Sequence, residues 1–129
     1  MPSMDTFPNT GYPTIVSQAV FYDLKNRAER TARCPGGDNM IGELRRIFAT
    51  MELTRESFVD FDDFIDEMRM AGEECLWRAA RAGNTAIIDF LVRDRGVNPR
   101  ARRAMFYASR ARNTQAVQLL HSYGVPHLE

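Results

Sequence analysis

Apolar residues recur along this chain at helical spacing, and no stretch alternates long enough to make a convincing strand. Val16, Val20, Leu24 and Ala28 return every fourth residue with Phe21 alongside, which predicts a helix from Thr14 to just before Cys34-Pro35-Gly36-Gly37, a strong breaker. Asp38 or Asn39 is placed to cap a second helix, whose Met40, Ile41, Leu44, Ile47, Phe48 and Met51 form one stripe. Thr54 is placed to cap a third, running to about Ala71, with Phe58, Phe61, Phe64, Ile65 and Met68 on its apolar side. Glu56, Asp60, Asp62, Asp63, Asp66 and Glu67 lie opposite. The fold class this predicts is all-α. Residues 1–13 carry three prolines and an Asn9-Thr10-Gly11 turn, and read as an extended arm that Phe7 and Tyr12 pin to the body.

The last part of the chain repeats itself. Residues 76–91 align with residues 105–120 at an offset of 29, and Ala79, Arg81, Ala82, Asn84, Thr85 and Leu91 all have identical counterparts. About one identity is expected by chance in such a window. Each unit reads as a short helix with small alanines on its inner side, a tight turn, and a second helix. In the first unit Gly83 makes the turn, Asn84 or Thr85 caps, and Ile87, Ile88, Phe90 and Leu91 form the core stripe. Gly96 and Gly124 close the second helices. Such a unit cannot bury its apolar face alone, but a stack of them can.

The run from Gly72 through Leu76-Trp77-Arg78-Ala79-Ala80-Arg81-Ala82-Gly83-Asn84 and Ile87-Ile88-Asp89-Phe90-Leu91 to Gly96-Val97-Asn98 resembles an ankyrin repeat. Residues 105–124 resemble a second, weaker one. The resemblance covers about residues 72–126 and divides the chain into an arm (1–13), a helical cap (14–71) and two degenerate repeats (72–129). Several positions depart from the family. Glu74-Cys75 and Arg103-Ala104 replace its Thr-Pro start, and Trp77 and Phe106 its histidine. Arg112 stands where the turn glycine should be, at a cost of about 1 kcal/mol if its backbone is left-handed. The residues missing from the period fall between Gly96 and Met105, so the projecting hairpin of the family is expected to shrink to a loop.

What the resemblance implies is a protein-binding module. Carried over position by position, its contact surface is Glu73, Arg81, Ala82, Arg102, Arg110 and Ala111, with Arg78, Arg103 and Tyr107 beside them. That is an Arg-rich ledge holding an aromatic, suited to an acidic protein surface or to phosphates. Trp77 on this ledge reads primarily as repeat packing.

Charge sharpens the picture. The chain is neutral overall, yet residues 1–37 carry +1, residues 38–75 carry −7 and residues 76–129 carry +6. Sixteen of the seventeen basic residues are arginine, which suits planar recognition but equally follows from a GC-rich coding sequence. The segregation leaves three partners open. One is another protein with an acidic surface, the ledge reading. The second is nucleic acid on the basic C-terminal half, opposed by the acidic block beside it. The third is a second copy, acidic helix to arginines or one uncapped C-terminal repeat to another.

Chemistry for catalysis is not apparent. The acidic run of residues 60–67 has helical periodicity and no turn glycine, so it is not a calcium loop. His121 and His127 lack metal-ligand spacing, and Cys34 has no histidine near it in sequence. There is no phosphate-binding glycine loop, serine elbow or paired-carboxylate site. The expectation is a binding protein with no metal, cofactor or enzymatic activity. Cys34 and Cys75 read as reduced thiols, Cys75 half-buried. With neither a signal-like N-terminus nor a spanning apolar run, the expected location is the cytoplasm, or a host cytoplasm if the protein is a pathogen effector or viral product.

Overall fold

The computed structural model describes residues 15–127, so the arm with Phe7 and Tyr12 lies outside the described residues. The fold is all-helical, with no strand among the described residues. Among the described residues six helices follow one another: α1 (Ile15–Arg33), α2 (Ile41–Glu52), α3 (Phe61–Ala82), α4 (Thr85–Asp89), α5 (Ala104–Arg110) and α6 (Thr114–Ser122). A π turn, Phe90–Asp94, continues α4, and short 3₁₀ turns precede α2, α3 and α5.

Three helix–turn–helix pairs stand side by side. The first helices form one row, α3 packing between α1 and α5, and the second helices form another, α4 packing between α2 and α6. Contacts along the first row fix its direction. Phe21 meets Phe64 and Arg78 meets Glu29, while Arg102 before α5 meets Glu73 and Asn113 after it meets Arg81 O, so α1, α3 and α5 run parallel with their C-terminal ends at one edge. Small residues make close approach possible: Ala28 and Ala32 on α1, Ala71, Ala79 and Ala80 on α3, and Ala104 and Ala108 on α5 are all fully buried. Phe21, Leu44, Phe48, Met51, Leu76, Ile87, Ile88, Leu91 and Leu120 fill the space between the rows.

The internal repeat is present in backbone detail. Asn84 N–H bonds Ala79 O at 2.9 Å, and Asn113 N–H bonds Ala108 O at 3.0 Å. Ile88 N–H bonds Asn84 O as Val117 N–H bonds Asn113 O, each at 3.0 Å. The residue before each asparagine is left-handed, Gly83 at φ 79° and Arg112 at φ 60°, so the arginine does hold the strained conformation expected of a replaced glycine. Leu91 and Leu120 are both fully buried.

Neither asparagine caps its own helix through its side chain. Each reaches back to the preceding pair. Asn84 Nδ2 donates to Ala32 O (2.5 Å) and Cys34 O (3.0 Å), and its Oδ1 accepts from Gly37 N (3.2 Å), holding the carbonyl end of α1. Asn113 Nδ2 donates to Ala80 O (3.3 Å) and Arg81 O (2.5 Å), holding the carbonyl end of α3. These bonds satisfy orphan C-terminal carbonyls and tie neighbouring pairs together. Gly37 has to be glycine for this: a Cβ there would sit 2.6 Å from Asn84 Nδ2 and 2.9 Å from Thr31 O.

The structure corrects several sequence expectations. The third helix does not end near Ala71. It runs unbroken through Gly72 to Ala82, across the boundary expected at residue 72, and Gly72 is a mid-helix residue against which Val97 packs. Thr54 precedes only a 3₁₀ turn, and the cap of α3 is Asp60, whose side chain accepts from Asp62 N at 2.9 Å. Asp38 does not cap α2. Its carboxylate accepts from Ala86 N (2.9 Å) and Thr85 Oγ1 (3.3 Å), capping α4 from 48 residues away. On α1 the buried face is Phe21, Leu24, Ala28 and Ala32, whereas Val20 is 42% exposed. Phe61 and Ile65 on α3 are likewise exposed, and Met40 faces outward at the start of α2. Between Gly96 and Met105 the chain forms a loop and a 3₁₀ turn, as the short period requires. No helix of the described chain is long and apolar enough to cross a membrane.

Candidate interaction face

Each helix of the first row brings an arginine at its C-terminal end to one edge: Arg33 on α1 (with Arg30 one turn before it), Arg81 on α3 and Arg110 on α5. All three are exposed, and none has an ionic partner among the described residues. They are linked through two adjoining clefts. A cleft of about 360 Å³ is lined by Arg33, Pro35, Trp77, Arg78, Arg81 and Ala82. A second, of about 530 Å³, is lined by Arg81, Phe106, Tyr107, Arg110 and Ala111. Neither lining contains a carboxylate.

Aromatic rings fill the intervals between these guanidinium groups. Trp77 and Tyr107 lie with centroids 4.7 Å apart, and Phe106 stands edge-on to Tyr107 at 5.3 Å. Arg103 sits over the Phe106 ring at 4.1 Å and Arg110 at 5.5 Å, both within cation–π range. A cation at a helix C-terminus is favoured by the helix dipole in any case. Here Asn84 and Asn113 already satisfy carbonyl ends of α1 and α3, so Arg33 and Arg81 are not needed for that and face solvent.

The other residues expected on the ledge have a different environment. Arg78 is half-buried over the Trp77 ring (4.7 Å) and pairs with Glu74 (3.2 Å) and Glu29 (3.8 Å), while its Nε is buried with no acceptor among the described residues. Arg102 pairs with Glu73 (3.1 Å) and Glu74 (2.7 Å), and Glu73 also takes Arg69 (3.0 Å). Burial acts to raise the Glu74 carboxyl, but bonds from Trp77 Nε1 and Arg78 and the charge of Arg102 hold it below the usual carboxylate range. Glu73, Arg78 and Arg102 are thus committed to one internal network beside the ladder, while Arg81, Arg103, Arg110 and Tyr107 border the open clefts or their rings. Arg102 and Arg103 are both left-handed, at φ 55° and 58°, a strained pair that the Glu73 and Glu74 contacts help to hold.

Arg33 is the residue that sequence reasoning missed. Its signal was present: Ala28 and Ala32 precede it and Gly36 follows, the same small-residue helix, arginine and turn glycine as Ala79-Ala80-Arg81-Ala82-Gly83. Elsewhere, Cys75 is completely buried rather than half-buried, which pushes its thiol well above the ordinary range, and Cys34 is exposed. No three His, Cys, Asp or Glu side chains converge as metal ligands among the described residues. The acidic residues of α3 line the end of the helix remote from the ladder, with the half-exposed Phe61 and Ile65 bordering a groove of about 490 Å³ between α3, Phe48 and the loop at Val97. No family model, curated protein or solved structure matches this chain.

Proposed function

We propose that the protein is an interaction module on a short ankyrin-like stack, which binds an acidic segment of another protein along Arg33, Arg81 and Arg110. One observation carries the reading: three unpaired guanidinium groups, one per parallel helix, border clefts that contain aromatic rings and no carboxylate. Arginine and aromatic side chains are the types that concentrate binding energy at protein interfaces, and a guanidinium takes a carboxylate in a two-pronged bond. Rigid helices position them, so little ordering is required on binding.

Nucleic acid is the second reading, favoured by the distance of the acidic end of α3 from the ladder. The carboxylates beside the ladder argue against it. Duplex binding commonly draws on roughly 6–10 phosphate contacts. Arg33, Arg81 and Arg110 border the clefts, and Arg30, Arg103 and Arg112 are also exposed without an ionic partner among the described residues. But the carboxylates Glu29, Glu73 and Glu74 lie close behind the ladder and oppose a phosphate backbone. The test is affinity capture from nuclease-treated lysate, with wild type beside the Arg81→Glu/Arg110→Glu variant. The reading expects a protein held by wild type and lost by the variant at unchanged helicity. Capture that disappears with nuclease, or that the variant retains, overturns it.

A further inference from the structure

The face that carries the ladder has an acidic far end. On α3, Asp63 and Arg81 are five full turns apart, so they share one side of the helix, separated by about 27 Å. Glu67, Met70, Glu74 and Arg78 continue the stripe between them. Charge changes sign along it. Asp63 and Glu67 have no cationic partner among the described residues, and Glu67 sits beside Tyr22 of α1, whose hydroxyl is raised by burial and then by that carboxylate. The middle band is internally neutralised by Lys25–Glu29, Arg78–Glu29, Arg78–Glu74 and Arg102–Glu74 pairs. At the far edge stand Arg33, Arg81 and Arg110. Cations near the acidic end are engaged elsewhere: Lys25 pairs with Glu29, Arg69 with Asp66 and Glu73, and Arg55 lies over the Phe61 ring at 5.7 Å.

One rigid helix holds the two unpaired ends apart by roughly three screening lengths at physiological salt, each about 8 Å, so the molecule cannot neutralise itself. A second copy can. Turned antiparallel over the same face, it brings Asp63 and Glu67 of each protomer onto Arg81 and Arg110 of the other, with the paired middle bands at the two-fold axis. The interface is isologous, so every contact is made twice, and it closes at two copies.

We infer that this face is a two-fold homodimer interface in which the acidic end of α3 occupies the arginine ladder of a second copy. The inference rests on the ladder being an acceptor for acidic segments, and it makes the dimer the resting state that a foreign acidic partner must displace.

Charge reversal with complementation tests it, read by light scattering in low and high salt. Wild type should move from the 14.8 kDa protomer to twice that mass as concentration rises in low salt, and return to the protomer in high salt. Arg81→Glu/Arg110→Glu alone and Asp63→Arg/Glu67→Arg alone should stay monomeric, each with native circular dichroism. Mixed, they should form a one-to-one dimer, since every reversed charge then meets its opposite. Wild type that stays monomeric at millimolar concentration in low salt overturns the inference, as does a dimer that survives either reversal or high salt. The failures are separable: a monomeric wild type that still captures a foreign protein through Arg81 and Arg110 removes the dimer and leaves the binding function standing.

Discussion

Removing the side chain of Asn84 should break the link between the first two helix pairs. Only 2% of this residue is exposed, and its amide makes three bonds, to Ala32 O, Cys34 O and Gly37 N. Each such bond contributes about 0.5–1.5 kcal/mol net, and polar groups stranded in a buried site cost more than the bond alone. Asn84→Ala therefore loses about 2–4 kcal/mol. Asn113 supplies the internal control, because it does the same job one pair along with two donated bonds and a half-exposed side chain that water can replace. Asn113→Ala should lose only about 1 kcal/mol. Asn84→Asp should be worse than alanine, since it sets a carboxylate against two carbonyl oxygens. Urea unfolding of the three variants at constant m-value gives the comparison directly. If Asn84→Ala costs less than about 0.5 kcal/mol, or no more than Asn113→Ala, the asparagines do not hold the pairs together as described.

Three further outcomes follow from particular residues. Arg112→Gly should stabilise the protein by about 1 kcal/mol in urea unfolding, because glycine adopts φ 60° without the clash of a Cβ; a loss would mean the arginine makes a contact that outweighs its strain. Leu91→Ala should cost about 2–5 kcal/mol, a fully buried leucine leaving a cavity between the rows, and a mild effect in the same assay would displace the repeat register. Tyr123, pushed up to about 12 by burial and by its bond to Asp89 (2.6 Å), should ionise near there and not at the ordinary 10.0. Its stabilising share is then complete below pH 10 and lost as pH rises toward 12. Phenolate absorbance of wild type against Tyr123→Phe reads this, and a matching difference titrating near 10 would contradict the Asp89 contact.

Where the sequence was legible, a residue's role was set by its own segment. Gly83 and Arg112 share a left-handed backbone, Asn84 and Asn113 equivalent backbone bonds, and Leu91 and Leu120 full burial, so an offset of 29 residues was enough to find them. Where it failed, the deciding contact lay far along the chain. Asp38 looked like a cap for the helix that follows it, yet it serves Ala86 and Thr85. Gly72 looked like the start of a repeat, yet a glycine in the middle of α3 makes room for Val97. Phe61 and Ile65 fit a core stripe by period alone, but neighbouring helices cover only part of α3 there and leave both exposed.

The candidate face divides in the same way. Of the nine residues expected on it, three, Glu73, Arg78 and Arg102, are tied up in an ion-pair network that spans α1, α3 and the turn before α5. Single-sequence reading cannot distinguish an arginine that is free from one that is paired across helices. Arg33 lies 48 residues before Arg81 and outside the segment that resembles a repeat. Only the parallel packing of α1 on α3 brings the two into one cleft.

Arg33 therefore gives the most direct measurement of the central claim, that the ladder is one surface built across three helices. Arg33→Glu should weaken capture of an acidic partner as strongly as Arg81→Glu does. Arg46→Glu, an equally radical change at an exposed position on α2, should leave capture intact. Equal loss for Arg33 and Arg81 with none for Arg46 is the predicted result. Undiminished capture by Arg33→Glu would contradict a continuous ladder.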